Sequence, residues 1–200
     1  VYGASPYNPA LLDEDSPLKA SELTQDLVDS VELESLAQIY LWKHPELHLT
    51  LLRPCNILGP GVRNSMSLLL SRPVAPVLLG FSPMMQFLHV DDMAEAMKLA
   101  FERNIPGVYN VAPDDYVPYQ EAVLQAGCKR LRVPSIPPIL PRVVSNALNW
   151  NAFFPPYLIN YFKYPVIING ELFRERFGWT PKRSLHDIFT YYSKQKASAP

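Results

Sequence analysis

The sequence predicts a layered α/β protein that contains at least part of a parallel sheet. Helical periodicity and short apolar, strand-like runs alternate along the chain, which is the order expected of this class. The chain has 200 residues, of which 48% are hydrophobic and 18% charged. It can therefore bury a full core, which excludes disordered and fibrous proteins, and its length fits one domain or one and a half.

The first half of the chain predicts a helix, a strand, a loop and a short helix. From about Thr24 to Trp42 the spacing predicts a helix with a broad buried face, made by Val28, Val31, Leu36, Ile39 and Tyr40. The run HLTLLRP predicts a buried strand. The glycines and proline of residues 56–63 (NILGPGVR) predict a loop, and residues 65–71 a short helix.

The second half begins with a predicted strand, MMQFLHV, that leads to Asp91 and Asp92 at a helix N-cap. GVYNVA predicts another strand. Phe177 and Gly178 are typical of a helix C-terminus, and Ser184 with Asp187 predicts a capping box. The last helix would bury one apolar face, made by Leu185, Ile188, Phe189 and Tyr192, and the tail from Lys194 onward would fray.

Residues 131–166 are rich in proline and aromatic side chains and poor in charge, so we interpret them as an irregular cap or lid. Their aromatic cluster favours core and lid over a dedicated pocket, although so apolar a lid would also suit a greasy substrate or a subunit contact. The cluster comprises Trp150, Phe153, Phe154, Tyr157, Tyr161 and Phe162.

Charge and cysteine content narrow the function classes. With 18 basic and 19 acidic residues and no basic block, nucleic acid is a poor partner. Cys55 and Cys128 form neither a disulfide framework nor a CxxC pair, which favours a reducing, cytoplasmic setting, and we predict no metal site. The uncharged stretch 143–162 contains several asparagines and prolines, so we interpret it as a soluble segment, and a membrane partner is not expected.

Five sequence motifs span almost the whole chain: VYG with an acidic DEDSPL after it, LLRPCNILGPG, QFLHVDDMAEAM, GVYNVAPDD and FGWTPKRSL. In this order they resemble the C-terminal part of extended short-chain dehydrogenases/reductases, in the NAD-dependent epimerase/dehydratase family. The resemblance implies the C-terminal part of a Rossmann-type doubly wound parallel sheet plus a smaller substrate-binding α/β domain. Residues 1–60 would end the dinucleotide-binding domain, and residues 61–200 would form the substrate-binding region with interleaved return strands and a C-terminal helix.

The resemblance also implies a cofactor, NAD or NADP. Neither GxGxxG nor GxxGxxG occurs here, and the chain opens on Val1 rather than Met, so we expect the main cofactor-binding half to lie upstream, in a longer protein. Pro54, Cys55 and Asn56 would pass the nicotinamide end, the first two through backbone atoms. A turn-forming role for Asn56 stays open, and Cys55 has no neighbouring base that would make it a nucleophile.

The partner that the resemblance implies is a small-molecule substrate, and a homodimer is the candidate assembly. Asn56, Arg63, Gln86 and His89 are the candidate substrate-binding residues. For His89 the alternative is a packed or hydrogen-bonded histidine at a strand end.

Two departures from the family pattern concern the chemistry. The family's Tyr and Lys, four residues apart on one helix face, should fall on Leu23 and Leu27, or on Leu27 and Val31. The catalytic residues are therefore unassigned, with Thr24 or a residue upstream as unsupported alternatives; Tyr192 and Lys196 have the spacing by chance. Met85 stands where these epimerases commonly carry an Arg for the nucleotide diphosphate, a loss that Arg63 would have to compensate.

Three functions follow from these observations. The first is an NAD(P)-dependent epimerase/dehydratase-like protein acting on a sugar nucleotide or a related carbonyl or alcohol. The second is a non-catalytic dinucleotide-binding scaffold or sensor. The third is a membrane-peripheral oxidoreductase that acts on an apolar substrate.

Overall fold

The computed structural model describes residues 1–23, 27–134 and 159–198. Helices α1 (Ala20–Leu23) and α2 (Val28–Lys43) are followed by strands β1 (Thr50–Pro54) and β2 (Asn56–Leu58), helix α3 (Ser65–Leu70) and strands β3 (Val74–Leu78), β4 (Met84–Met85) and β5 (Phe87–His89). Helix α4 (Val90–Arg103), strands β6 (Gly107–Val111) and β7 (Val117–Pro118), helix α5 (Tyr119–Gln125) and strand β8 (Lys129–Val133) come next. A 3-10 turn (Asn160–Phe162), helix α6 (Glu171–Phe177) and helix α7 (Leu185–Ala197) end the described chain.

Three of the four strand pairs in the described chain are parallel, which confirms the α/β class with parallel strand pairing. Strand β1 pairs with β6, β2 with β5, and β3 with β8, all in parallel, whereas the short β4 and β7 pair antiparallel. Only Cys55 separates β1 from β2. The chain therefore changes its pairing partner, from β6 to β5, at this one residue.

Three clusters of buried side chains hold these elements together. One joins α4 and β6 to α6 through Tyr109, Phe173 and Trp179. Another packs α5 and α7 against β3 and β5. The third brings the N-terminal loop to residue 168 through Tyr2, Leu12 and Ile168, and half-buried Cys55 packs against it. The first residues of the chain thus lie beside the switch point at Cys55.

Several predicted elements are confirmed. Helix α3 lies where a short helix was expected, and α6 ends at Gly178, whose φ of 54° is the left-handed conformation of a glycine cap. Ser184 and Asp187 form the predicted capping box of α7. Three of the four residues predicted for its buried face are buried, and Leu185 is half-buried.

The prediction of a loop over residues 56–63 is wrong at its start. Asn56–Leu58 is strand β2, because its backbone pairs with Phe87–His89. The single strand predicted over MMQFLHV is likewise two strands: Gln86 separates β4 from β5, and Val90 already belongs to α4.

The broad buried face predicted for the first long helix is also wrong. Helix α2 buries Val31, whereas Leu36, Ile39 and Tyr40 are 51%, 48% and 46% exposed. The reason is rotational: the inner face of α2 is the one that carries Val31 and the half-buried Glu34, and no described residue covers the opposite face.

The N-cap of α4 is His89 rather than an aspartate. Its Nδ1 accepts a hydrogen bond from the backbone N–H of Asp91, at 3.1 Å. Asp92 is instead buried, and its carboxylate accepts the backbone N–H groups of Lys182 and Arg183 at 2.9 and 3.0 Å. Asp92 therefore anchors the loop before α7.

The predicted lid and tail need corrections too. Residues 131–133 belong to β8, which pairs with β3, and Phe162 is buried in the core. Trp150, Phe153, Phe154 and Tyr157 lie outside the described residues. Helix α7 continues to Ala197 instead of fraying at Lys194.

The end of α7 is held by a lysine. The Lys196 ammonium donates to the backbone carbonyls of Leu70 and Ala126, and the hydroxyl of Tyr192 accepts the backbone N–H of Gly59 at 3.2 Å. Both members of the chance Tyr-xxx-Lys spacing therefore have structural contacts.

Candidate functional site

Two adjoining cavities lie where the chain passes from β1 to β2. The Arg53 cavity, of about 290 Å³, is lined by Val1, Tyr2, Gly3, Glu34, Leu52, Arg53, Pro54, Cys55, Asn56, Tyr161, Val166 and Ile168. The methionine cavity, of about 320 Å³, is lined by Cys55, Asn56, Ile57, Asn64, Ser65, Met66, Met84, Met85, Tyr161, Phe162, Tyr164 and Val166. Cys55, Asn56, Tyr161 and Val166 belong to both walls.

The shared wall depends on the local structure around Cys55. Its backbone N–H donates to the carbonyl of Val111, at 3.2 Å, so the switch residue is still held to β6. One residue further on, the Asn56 amide donates to the backbone carbonyl of Gln86, at 3.1 Å. Asn56 is therefore oriented by the neighbouring strand segment while its side chain stays exposed.

The Cys55 thiol is chemically quiet. Burial raises its pKa far above the ordinary value, and the negative charge of Asp115 adds to that effect. At neutral pH the Cys55 side chain is therefore a protonated thiol, whereas the nucleophilic form of a cysteine is the thiolate. Cys55 therefore contributes shape and backbone atoms to the site.

A buried polar network forms one side of the Arg53 cavity. Arg53 is only 5% exposed, and its Nε and Nη2 lie 2.9 and 2.8 Å from the same carboxylate oxygen of Glu34. Its Nη1 donates to the hydroxyl of Tyr2 and to the backbone carbonyl of Glu14, each at 2.8 Å. The guanidinium also lies over the Tyr2 ring, 5.1 Å from its centroid. This network ties the N-terminal loop and α2 to the end of β1.

The network continues into β6. The Tyr2 hydroxyl donates to the side-chain oxygen of Asn110 at 2.7 Å, and the backbone N–H of Asn110 donates to the Glu14 carboxylate at 2.8 Å. Sequence reasoning missed the roles of Tyr2, Glu34 and Arg53. The available signal was Arg53 itself: an arginine inside an apolar strand must find an anionic partner when it is buried.

The structure brings together the three residues predicted beside the cofactor. Pro54, Cys55 and Asn56 all line the Arg53 cavity, and Asn56 also lines the methionine cavity. Their contact with a cofactor stays a prediction.

The other predicted substrate residues lie apart from the cavity walls. Arg63 is exposed in the loop after β2. Gln86 is buried, with its amide donating to the carbonyls of Pro113 and Ile168, each at 3.1 Å, and accepting the Ile168 N–H at 2.8 Å. His89 is buried as the cap of α4. Their substrate contacts also stay predictions.

Leu27 and Val31, two of the positions expected for the family's reactive pair, lie at the start of α2. Leu27 just before the helix is half-buried, Val31 is buried, and Glu34 reaches the Arg53 cavity. Thr24 and the Leu23 side chain lie outside what the structure describes. The tyrosines of the walls come from elsewhere: burial raises the pKa of both Tyr2 and Tyr161, so both hydroxyls are neutral.

Comparison with known proteins agrees with the motifs. Residues 30–112 match the model of the NAD dependent epimerase/dehydratase family. Uncharacterized proteins of Mycobacterium tuberculosis and Mycobacterium bovis are 24% identical over all 200 residues. The chain spans 53% of the length of these relatives.

Solved structures share the fold. The chain is similar to UDP-glucose-4-epimerase from Stenotrophomonas maltophila, with bound NAD and formylated UDP-arabinopyranose, at 16% identity and a TM-score of 0.70; the match covers 98% of this chain and 61% of that one. It is also similar to UDP-glucuronic acid 4-epimerase from Bacillus cereus, in complex with UDP-glucuronic acid and NAD, at 16% identity and a TM-score of 0.69. That match covers 98% of this chain and 59% of the other. A third similar structure is RMD from Pseudomonas aeruginosa, complexed with NADPH, at 13% identity and a TM-score of 0.67. That match covers 98% of this chain and 63% of the other.

Proposed function

From the family match over residues 30–112 and the fold shared with these dinucleotide-binding proteins, we propose that the chain is the substrate-side part of an NAD(P)-dependent epimerase/dehydratase-like protein. In this proposal the nicotinamide end of the cofactor occupies the Arg53 cavity and the substrate occupies the methionine cavity. The main cofactor-binding half would belong to the rest of a longer protein.

The observation that carries the proposal is the wall shared by the two cavities. Cys55, Asn56, Tyr161 and Val166 line both, so ligands in the two cavities would meet there. Hydride transfer, the chemistry that a bound nicotinamide supplies, requires the reacting atoms at about 3–3.5 Å. Two cavities that share four lining residues support such an arrangement.

The residues of the Arg53 cavity fit a nicotinamide ring. Pro54 and Cys55 offer backbone atoms at a strand end, and Asn56 offers an amide. Arg53 and Glu34 neutralise each other, so the pair adds little net charge to the cavity. These groups would position the carboxamide and exclude water without competing for the reacting carbon.

The rival function, a dinucleotide-binding scaffold or sensor, is favoured by the inner face of α2. Leu27 and Val31, described residues there, are aliphatic and can neither hold nor move a proton, and the Glu34 carboxylate on the same face is paired with Arg53. No helix among the described residues is long and apolar enough to cross a bilayer.

The proposal is tested with the full-length protein. It should be titrated with NAD+, NADH, NADP+ and NADPH, and one of the two couples is expected to bind. Failure of all four at millimolar concentration contradicts both the enzyme and the scaffold.

Two readouts then distinguish the enzyme from the scaffold. Absorbance at 340 nm follows net cofactor oxidation or reduction, and NMR follows product formation, because an epimerase or dehydratase reoxidises its cofactor within one cycle. The panel contains alcohols and ketones with and without a sugar nucleotide. Cofactor turnover or product formation with any member supports the enzyme, whereas cofactor binding without either across the panel supports the scaffold.

A further inference from the structure

We infer that the substrate part entering the methionine cavity is uncharged and largely apolar, a one- or two-ring alcohol or ketone, rather than a diphosphate-linked sugar. The inference rests on the proposed function, because it assigns the substrate class of the same site. It departs from the substrates bound by the structural neighbours. The evidence for the inference is the chemistry of the residues that line the methionine cavity.

The walls of the methionine cavity are apolar and soft. Met66 comes from α3, and Met84 and Met85 from β4, and Phe162, which is buried in the core, also lines the cavity. Among the lining residues that the structure describes there is no Arg, Lys, His, Asp or Glu. Thioethers adapt to irregular apolar ligands but cannot replace a cationic hydrogen-bond donor.

The cations next to the cavity in the described chain do not line it. Lys163, between the lining residues Phe162 and Tyr164, has its ammonium 5.6 Å from the centroid of the Phe81 ring. Arg53, in the adjoining cavity, directs its nitrogens at Glu34, Tyr2 and the Glu14 carbonyl. Arg63 is exposed and outside both described walls. A diphosphate in the methionine cavity would therefore be desolvated without a cationic partner among the described residues, which is strongly unfavourable.

A few neutral polar groups remain for one oxygen atom of a ligand. Asn56 uses one amide N–H on Gln86, and its amide oxygen has no hydrogen bond to the described chain. The Tyr161 hydroxyl also has no hydrogen bond within the described residues, and burial keeps it neutral by raising its pKa. Asn64, in contrast, is committed to Ser67 and Ile57. Asn56 and Tyr161 would bind a hydroxyl or carbonyl at the wall shared with the cofactor.

The size of the cavity is compatible with such a ligand. A volume of about 320 Å³ is at the lower end of small-molecule sites, which run from roughly 300 to 1,000 Å³. One or two fused aliphatic rings with a single oxygen fit this volume and this wall chemistry.

The test compares an uncharged and a charged probe by isothermal titration. 2-Decalone and UDP-glucose are titrated separately into the full-length protein, with and without saturating NAD+. We expect 2-decalone to bind at least about tenfold more tightly than UDP-glucose, since a single apolar or polar mismatch is worth 10-fold or more. Tighter binding of UDP-glucose, or no 2-decalone binding up to its solubility limit, would overturn the inference.

Variants locate the binding. Met84→Lys, which places an ammonium in the half-buried wall, should weaken 2-decalone binding by about tenfold or more. Met97→Lys, on the exposed side of α4, should bind like the wild type. Met84→Leu, which keeps the wall apolar, should retain more of the binding than Met84→Lys. If Met84→Lys fails to fold by circular dichroism, Tyr161→Phe serves instead: it should weaken 2-decalone severalfold through one lost hydrogen bond. Unchanged binding in a folded Met84→Lys, or in Tyr161→Phe when it is needed, contradicts the assignment.

The same titrations separate this inference from the proposed function. If NAD+ binds but UDP-glucose is the preferred ligand, the proposed function stands and the substrate class is wrong. If no dinucleotide binds but 2-decalone binds in a Met84-dependent way, the cavity chemistry stands and the proposed function is wrong.

Discussion

Removal of the Glu34 carboxylate should destabilise the protein far more than its position on a surface helix suggests. Glu34 is the anionic partner of Arg53, and both side chains are largely buried, at 11% and 4% exposed. Without Glu34 the guanidinium keeps the Tyr2 hydroxyl and the Glu14 carbonyl, but its charge is left without a counter-charge. Breaking a buried pair in this way costs about 3–5 kcal/mol.

Two variants of Glu34 separate the loss of its charge from the loss of its hydrogen-bond acceptor. Glu34→Leu removes charge and acceptor together and should lose about 3–5 kcal/mol of unfolding free energy. Glu34→Gln keeps an amide oxygen near Arg53 and should lose less, about 1–3 kcal/mol. Glu32→Gln, on the exposed side of α2, is the matched control and should stay within about 0.5 kcal/mol of the wild type.

The assay is urea unfolding of the full-length protein, followed by circular dichroism. The double variant Arg53→Met with Glu34→Leu removes both charges, so it should lose less stability than Glu34→Leu alone. The reasoning is refuted if Glu34→Leu is no more costly than Glu32→Gln. It is also refuted if the double variant loses as much stability as Arg53→Met and Glu34→Leu lose separately, added together.

Two further predictions concern the packing around the site. A Cβ at Gly170 would lie 2.4 Å from the backbone oxygen of Ala112, so Gly170→Ala should lose about 1–3 kcal/mol in urea unfolding, whereas Glu171→Ala next to it should be nearly neutral. Burial raises the pKa of the Cys55 thiol, so its contribution to stability is complete below its ordinary pKa of about 8.5 and is lost as the pH rises above it. The melting temperature should therefore fall above pH ~9, and less steeply in Cys55→Ala; equal slopes in the two proteins would contradict the assignment.

The fold was predictable where local rules and tertiary structure agree. Capping residues identified the end of α6 and the start of α7, because a glycine in the left-handed conformation and a Ser–Asp capping box act within one turn. The parallel sheet followed from the alternation of elements.

The sequence-based prediction failed where a contact between residues distant in sequence determines the local structure. Nothing in residues 56–63 alone shows that Asn56–Leu58 pairs with Phe87–His89. Similarly, the apolar residues of α2 could belong to either side of the helix, and the position of Glu34 opposite Arg53 fixes the rotation.

The candidate site was predictable only in part. The motif around Pro54, Cys55 and Asn56 led to residues that line one cavity together. The methionine cavity could not be foreseen, because Met66 and Met84 come from elements whose approach depends on the whole sheet. The Tyr2 and Glu34 contacts of Arg53 join residues 51 and 19 positions away in sequence, a separation that no local pattern encodes.

The central claim is that a nicotinamide and a substrate meet at the wall formed by Cys55, Asn56, Tyr161 and Val166. The most direct measurement is a crystal structure of the full-length protein grown with NAD+ or NADP+, whichever binds in the titration. We predict nicotinamide density in the Arg53 cavity, against the backbone of Pro54 and Cys55. A dinucleotide bound with its nicotinamide elsewhere, leaving both cavities to solvent, would contradict the account.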